Sequence, residues 1–144
     1  MTPVDLVIER IPAEEGFRQF AYDDATGQRV KAPVGNLTWL YGCNLETEGT
    51  QELGLLIVRY GLDQRHARLM AYDWYSTLDV PRQSALLDMA YNMGVEGLLH
   101  YPHMIAFISG RDWESAANEM HVRQTAVDNS RYEKLRAIIR TGVA

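Results

Sequence analysis

Four acidic side chains lie close together near the start of the chain, and their spacing could support acid–base chemistry. Glu14 and Glu15 precede Gly16, and Asp23 and Asp24 follow after a short aromatic stretch. Two carboxyl groups can cleave a glycosidic bond when an apolar pocket keeps one protonated and a wetter site keeps the other ionised. Such pairs are also typical of helix caps and solvated surface, so by itself the cluster is only a candidate site.

Aromatic residues near these carboxylates could form the walls of that pocket; they are Phe17, Phe20, Tyr22, Trp39 and Tyr41. Residues 16–49 also contain five glycines spaced among short β-prone runs. Glycines between such runs are typical of turns between strands, which predicts a small antiparallel sheet. A helix at about 3–14 precedes it, and Pro12 is expected to end or kink that helix close to Glu14 and Glu15.

From about residue 50 onward, apolar residues recur at the spacing of helices. Each stripe is predicted to be a buried helix face, and Asp112 to be an N-cap. The last helix is predicted to begin with a capping box at Ser130 and to end at Gly142. The stripes are Leu53, Leu56, Ile57 and Tyr60; Ala67, Met70, Ala71 and Trp74; Ala85, Leu86, Met89, Ala90 and Met93; Trp113, Ala116, Ala117 and Met120; and Tyr132, Leu135, Ile138 and Ile139.

The composition indicates one globular domain, since 47% of the 144 residues are hydrophobic and 23% are charged. We expect an α+β fold over residues 1–144, with a cleft between its two lobes. A sheet-containing lobe is predicted at about 15–60 and a helical lobe at about 1–14 and 61–144.

The net charge of −5 argues against nucleic-acid binding, and a single cysteine, Cys43, excludes an intrachain disulfide. The first residues lack the basic start and long apolar run of a signal peptide, and no membrane span is predicted. Residues 121–144 are locally basic, with five basic and two acidic side chains. This predicts either a solvated helix face or arginines that face an anionic partner or a catalytic carboxylate.

Several motifs occur in an order that resembles the phage-type lysozymes, the muramidases of glycoside hydrolase family 24. They are EEGFRQFAYDD, GNLTWLYGCNL, LLDMAYNMG, the helix start RDWESAA and the closing RTG. The resemblance covers nearly the whole chain and implies a lysozyme-like fold. Two positions depart from the family pattern: Cys43 stands where histidine is common, and Leu40 replaces the first glycine of a strand motif.

The resemblance assigns catalytic roles to Glu15, Asp24 and Thr38. Glu15 matches the general acid that protonates the leaving oxygen, and Asp24 matches the aspartate that stabilises the sugar cation or activates water. Thr38 matches the threonine that positions the attacking water. Neither Glu14 nor Asp23 is implied to take part.

Three further positions match residues that line or support the sugar site in that family. Tyr91 and Asn92 correspond to the place where the helical lobe lines the cleft, and Arg131 to an arginine near the general acid. A guanidinium there would hold Glu15 in position while opposing its protonated form. Burial must therefore dominate if Glu15 is to act as an acid.

The resemblance implies hydrolysis of the β-1,4 bond between N-acetylmuramic acid and N-acetylglucosamine in bacterial peptidoglycan, with no cofactor and no metal. A monomer is expected, made in the host cytoplasm and acting on the host wall in the periplasm, or else carried in the virion. The alternatives are a lytic transglycosylase and a non-catalytic wall-binding module. Less favoured are a cysteine hydrolase using Cys43 with a histidine, and a metal site at His100 and His103.

Overall fold

The computed structural model describes residues 1–18, 49–120 and 129–144, positions 26 and 28, and the backbone of two short strands. The strands are β1 (Thr38–Trp39) and β2 (Cys43–Asn44), which pair antiparallel with Thr38 opposite Asn44. The helices within this part are α1 (Pro3–Glu15), α2 (Gln51–Leu69), α3 (Asp73–Ser76), α4 (Val80–Leu99), α5 (Pro102–Ser109), α6 (Trp113–Asn118) and α7 (Asn129–Thr141).

The predicted α+β fold class is wrong, because the described part of the chain is an all-helical fold with no β-sheet lobe. The β1–β2 ladder is two residues long on each side, which is too small to form a layer of the fold. Helix α2 also occupies the last ten positions assigned to the sheet lobe. The layers that pack are helices, with α4 lying against α1, α2 and α7.

Helix α1 places the candidate acid at its end. Thr2 and Asp5 form a capping box, in which the Asp5 amide donates to the Thr2 hydroxyl and the Thr2 amide to the Asp5 carboxylate. These bonds hold the pKa of Asp5 down at about 2, with a smaller contribution from the Arg59 guanidinium. As expected, the helix ends close to Glu14 and Glu15: it continues through Pro12 to Glu15 and stops at Gly16.

Two of the predicted buried faces are wrong, and both involve α2 and the turn after it. Leu56, Tyr60 and Met70 are exposed, Tyr60 by 69%. The residues of α2 that face the core are instead Leu62 and Leu69, with Val58 partly buried. Helix α2 has apolar residues around much of its circumference, so periodicity did not identify the face that packs on α4.

The other predicted faces are confirmed, apart from partial burial at two positions. Met93 and Trp113 are partly buried, and the remaining residues of the three stripes on α4, α6 and α7 are buried. Asp112 caps α6 by accepting from the Ser115 amide, and α7 ends at Gly142. Helix α7 already includes Asn129, so Ser130 lies inside it and is not its cap.

Arg82 attaches the end of α7 to the start of α4. Its guanidinium donates to the carbonyl oxygens of Ile139 and Arg140 and pairs with Asp79. The same group lies 4.1 Å from the centre of the Trp113 ring. These contacts satisfy carbonyls that a helix end leaves without partners, and they fix α7, which carries Arg131, against α4.

A polar group is also buried where α2, α3 and α4 meet. The Tyr75 hydroxyl donates to the Gln83 carbonyl, and Nδ1 of His66 lies 2.9 Å from the same hydroxyl. Burial raises the pKa of Tyr75 and lowers that of His66, with the Asp63 charge partly opposing the shift at His66. Among the described residues, no buried side-chain polar atom lacks a hydrogen-bond partner.

The lowered pKa of His66 predicts a loss of stability in mild acid. At a pH above about 6.5, the pKa of histidine in the unfolded chain, His66 is neutral in both states and the free energy of unfolding is at its full value. At lower pH the unfolded chain binds the proton more readily than the folded protein, so the free energy of unfolding falls. We expect His66→Gln to lose less unfolding free energy between pH 7.5 and 5.5 than the wild type, as measured by urea denaturation. His103→Gln, on the exposed side of α5, should lose as much unfolding free energy over this pH range as the wild type. Equal losses in all three proteins would contradict the prediction.

Helix α4 contains one residue with non-helical backbone, Gly94, at φ 77° and ψ 162°. Residues other than glycine rarely adopt this backbone conformation, although a Cβ here would meet nothing within 4 Å. We expect Gly94→Ala to lower the free energy of unfolding by about 1–3 kcal/mol through backbone strain alone. Gly54→Ala is the control, because Gly54 is helical and a Cβ there is also uncrowded; it should be neutral or stabilising in thermal denaturation.

Candidate active site

Glu15 is presented at the carboxyl end of α1. Buried contacts of Val7 and Ile11 fix the helix in the core, and Gly16, at φ 68° and ψ 169°, turns the chain away directly after Glu15. The Glu15 side chain remains 40% exposed. Its Oε1 accepts a hydrogen bond from Nη1 of Arg131 at 2.5 Å.

Arg131 lies in the first turn of α7, and its side chain is only 5% exposed. Besides Glu15, it donates from Nε and Nη2 to a single oxygen of Asp88, at 3.0 and 2.8 Å. Burial disfavours the charged guanidinium, but the Asp88 and Glu15 carboxylates outweigh it and raise the pKa of Arg131. Arg131 is therefore a permanent cation that faces the Glu15 carboxyl, one of the two alternatives predicted for the basic C-terminal segment.

Asp88 is buried in α4, and its side chain is 1% exposed. Its second oxygen accepts from Nε of Arg10 at 3.2 Å, and Arg10 also donates to the Ser84 carbonyl. Arg10, Glu15, Asp88 and Arg131 thus form one connected group, which we term the Asp88 cluster. It joins α1, α4 and α7 through two acidic and two basic side chains.

A pocket of about 210 Å³ opens beside Glu15. Its walls come from α1, α2 and α4 and are mainly apolar. Among the described residues that line it, Glu15 is the one with a carboxylate. The lining residues are Ile11, Pro12, Glu15, Gly16, Phe17, Gln51, Gly54, Leu55, Val58 and Tyr91.

The pocket brings together part of the predicted site. Tyr91 and Glu15 both line it, and the Arg65 guanidinium lies 5.7 Å from the centre of the Tyr91 ring. Asn92 is exposed on the same helix, where its amide donates to the Asp88 carbonyl at 3.2 Å, and it is not among the described residues that line the pocket. Phe17 is the one member of the predicted aromatic walls whose side chain the structure describes.

Two of the predicted catalytic residues are not placed by the structure. Asp24 lies outside the described residues, and Thr38 is described only through the backbone of β1. Their distances from Glu15 are therefore not part of the site geometry. Phe20, Tyr22 and Tyr41 also lie outside the described residues, as do the side chains of Trp39 and Cys43.

The sequence interpretation missed Arg10 and Asp88 as members of this site. A signal for Asp88 was present, because it is an acidic residue within the apolar run Leu86, Leu87, Met89 and Ala90. A carboxylate buried in such a run requires a charged or hydrogen-bonding partner. The sequence did not show which arginine supplies it, since Arg10 and Arg131 are distant along the chain.

The histidines do not form a second site in the described part of the chain. His66 contacts Tyr75, while His100 and His103 are exposed around the turn between α4 and α5. Among the described residues there is no group of three side chains able to hold a metal ion. His121, a candidate partner of Cys43, lies outside the described residues.

Comparison with known proteins leaves the family of this chain unassigned: no protein-family model matches it, and no curated protein matches it significantly. The lysozyme resemblance depends on the sequence motifs given above. In the part of the chain that is described, no helix combines the length and apolar character needed to cross a membrane.

The Asp88 cluster predicts unequal effects for two basic residues of α7. Arg131→Met removes a guanidinium that donates two hydrogen bonds to a buried carboxylate, so we expect the free energy of unfolding to fall by about 3–5 kcal/mol. Lys134→Met removes an ion pair between Glu14 and a lysine side chain that is 58% exposed. That change should cost less than about 1 kcal/mol.

Urea denaturation of both variants at neutral pH measures the difference. Equal losses would show that the buried pair contributes no more than a surface pair, contrary to this prediction.

Proposed function

We propose that this protein is a muramidase that hydrolyses the β-1,4 bond between N-acetylmuramic acid and N-acetylglucosamine in bacterial peptidoglycan. The observation that carries the proposal is the position of Glu15, whose carboxyl borders an apolar pocket and is held by a buried arginine. From that position the carboxyl can reach a substrate bound in the pocket, as a general acid must. The order of the motifs supplies the substrate class.

In the proposed reaction, the Glu15 carboxyl donates its proton to the glycosidic oxygen as the bond from that oxygen to the muramic acid C1 breaks. A water molecule attacks C1, and Asp24 accepts the proton that this water loses. The Thr38 hydroxyl orients the water. The products are a reducing muramic acid and a free 4-hydroxyl. Asp24 then releases its proton to solvent, and solvent returns a proton to Glu15.

Glu15 must carry a proton at the start of this reaction. Its side chain lies at the carboxyl end of α1, at the edge of the apolar pocket, and accepts a hydrogen bond from the Arg131 guanidinium.

The wider setting of this activity is part of the same proposal. The glycan strands of a bacterial wall are the partner, and phage-mediated lysis of a host is the biological role. The enzyme works as a monomer without cofactor or metal, either released into the periplasm or carried in the virion.

Glu15→Gln tests the role of the acid. An amide cannot donate the required proton, so we expect release of muropeptides from purified sacculi to fall by about 10²–10⁴-fold. Glu14→Gln is the matched control, because Glu14 is the adjacent carboxylate and pairs with Lys134 at 2.5 Å. It should retain activity within a few-fold, and circular dichroism should show both variants folded.

Mass spectrometry of the released fragments identifies the reaction. Reducing muramic acid ends support hydrolysis, whereas anhydro-muramic ends would indicate a transglycosylase. Binding to sacculi without any cleavage would indicate a wall-binding module. Loss of activity in Glu14→Gln but not in Glu15→Gln would place the acid one residue earlier.

A further inference from the structure

The buried carboxylate of Asp88 is linked to Glu15 through Arg131. Asp88 is not among the described residues that line the pocket. Both of its carboxylate oxygens accept hydrogen bonds from arginines. The apolar run around it in α4 leaves no water-exposed face for the charge. A buried carboxylate lowers the stability of the fold unless its partners are well placed. The presence of Asp88 at this position therefore calls for an explanation.

We propose that Asp88 is a positioning residue that adjusts Glu15 through Arg131. It fixes the direction of the Arg131 guanidinium, and its negative charge offsets part of the arginine charge that Glu15 experiences. This inference rests on the proposed function, in which Glu15 must be protonated to act.

The geometry of the guanidinium supports the first part. Its Nε and Nη2 donate to one oxygen of Asp88, which uses one edge of the planar group and leaves Nη1 for Glu15. Because Arg131 is buried, water cannot take over these bonds from Asp88. The contact to Glu15 therefore has a direction fixed from α4.

The charges around the end of α1 support the second part. Arg131 is the cation in contact with Glu15, and the next basic residue on α7, Lys134, is paired with Glu14. The α2 residues that line the pocket are uncharged. When Asp88 is ionised, its negative charge lies beside both Arg10 and Arg131. Without that charge, Arg131 would act on Glu15 with its full positive charge. Among the described residues, the charged side chains joined to Glu15 or Glu14 by these ion pairs are Arg10, Asp88, Arg131 and Lys134, and Arg18 follows Glu15 in the sequence.

Asp88→Asn tests the proposal because it removes the charge and keeps the shape. We expect the alkaline limb of the pH profile of kcat/KM on sacculi to move to lower pH by about one unit. A second measurement needs no substrate: the titration of the Glu15 carboxyl carbon, followed by NMR, should move in the same direction. Both are measured well below the Tm of the variant.

Two further variants separate charge from packing. Met89→Ala alters a fully buried neighbour in the same helix and should lower the Tm while leaving the alkaline limb in place. Asp88→Glu keeps the charge and should stay closer to the wild-type limb than Asp88→Asn. A limb that moved equally in Met89→Ala would indicate a general loss of packing and overturn the proposal.

Arg10→Gln provides an opposite test if Asp88→Asn does not fold. It removes the cation on the other side of Asp88, so that more of the Asp88 charge acts against Arg131. The Glu15 titration should then move to higher pH. An unchanged Glu15 titration in whichever of these two variants folds overturns the inference.

The two proposals fail in different ways. If the wild-type protein releases no fragments from sacculi, the muramidase proposal is wrong. The Glu15 titration still decides whether Asp88 and Glu15 are coupled. If the enzyme cleaves and neither the limb nor the titration moves, the muramidase proposal stands and the role of Asp88 is structural only.

Discussion

The buried carboxylate of Asp88 is the interaction on which the arrangement of this protein depends. It accepts from Arg10 on α1 and from Arg131 on α7, while α4 supplies the carboxylate itself. An unpaired charge at 1% exposure would be costly, so the helices that carry its partners are constrained to approach α4 at these points. Apolar packing among α1, α4 and α7 supplies the stabilising area, and the ion pairs select one arrangement of it.

The candidate site follows from the same constraint. Glu15 lies at the end of α1, past the last buried turn, and its partner Arg131 lies at the beginning of α7. Neither helix alone determines where the carboxyl points. Asp88 orients the arginine, and Gly16 lets the chain leave the helix at a backbone conformation that other residues rarely adopt. The result is one carboxyl at the edge of an apolar pocket, paired with a buried arginine.

Arg131 is shared between two carboxylates, those of Glu15 and Asp88. It fixes the Glu15 carboxyl from the buried side, because the arginine side chain is only 5% exposed. Glu15 itself is partly exposed, so in the proposed reaction solvent can return its proton.

The sequence by itself determined the local features: the helix at the start, the Asp112 cap and the buried faces of α4, α6 and α7. These depend on short-range spacing, which periodicity and capping rules describe. The pairing of Glu15 with Arg131 was instead implied by the family resemblance. Only the tertiary structure decided the rest. Fold class was predicted wrongly because β-prone runs indicate that a segment can fit a strand, not that a sheet forms a layer of the core. The packed face of α2 and the buried partners of Asp88 depend on which helix lies opposite, a contact between residues far apart in the chain that no local pattern encodes.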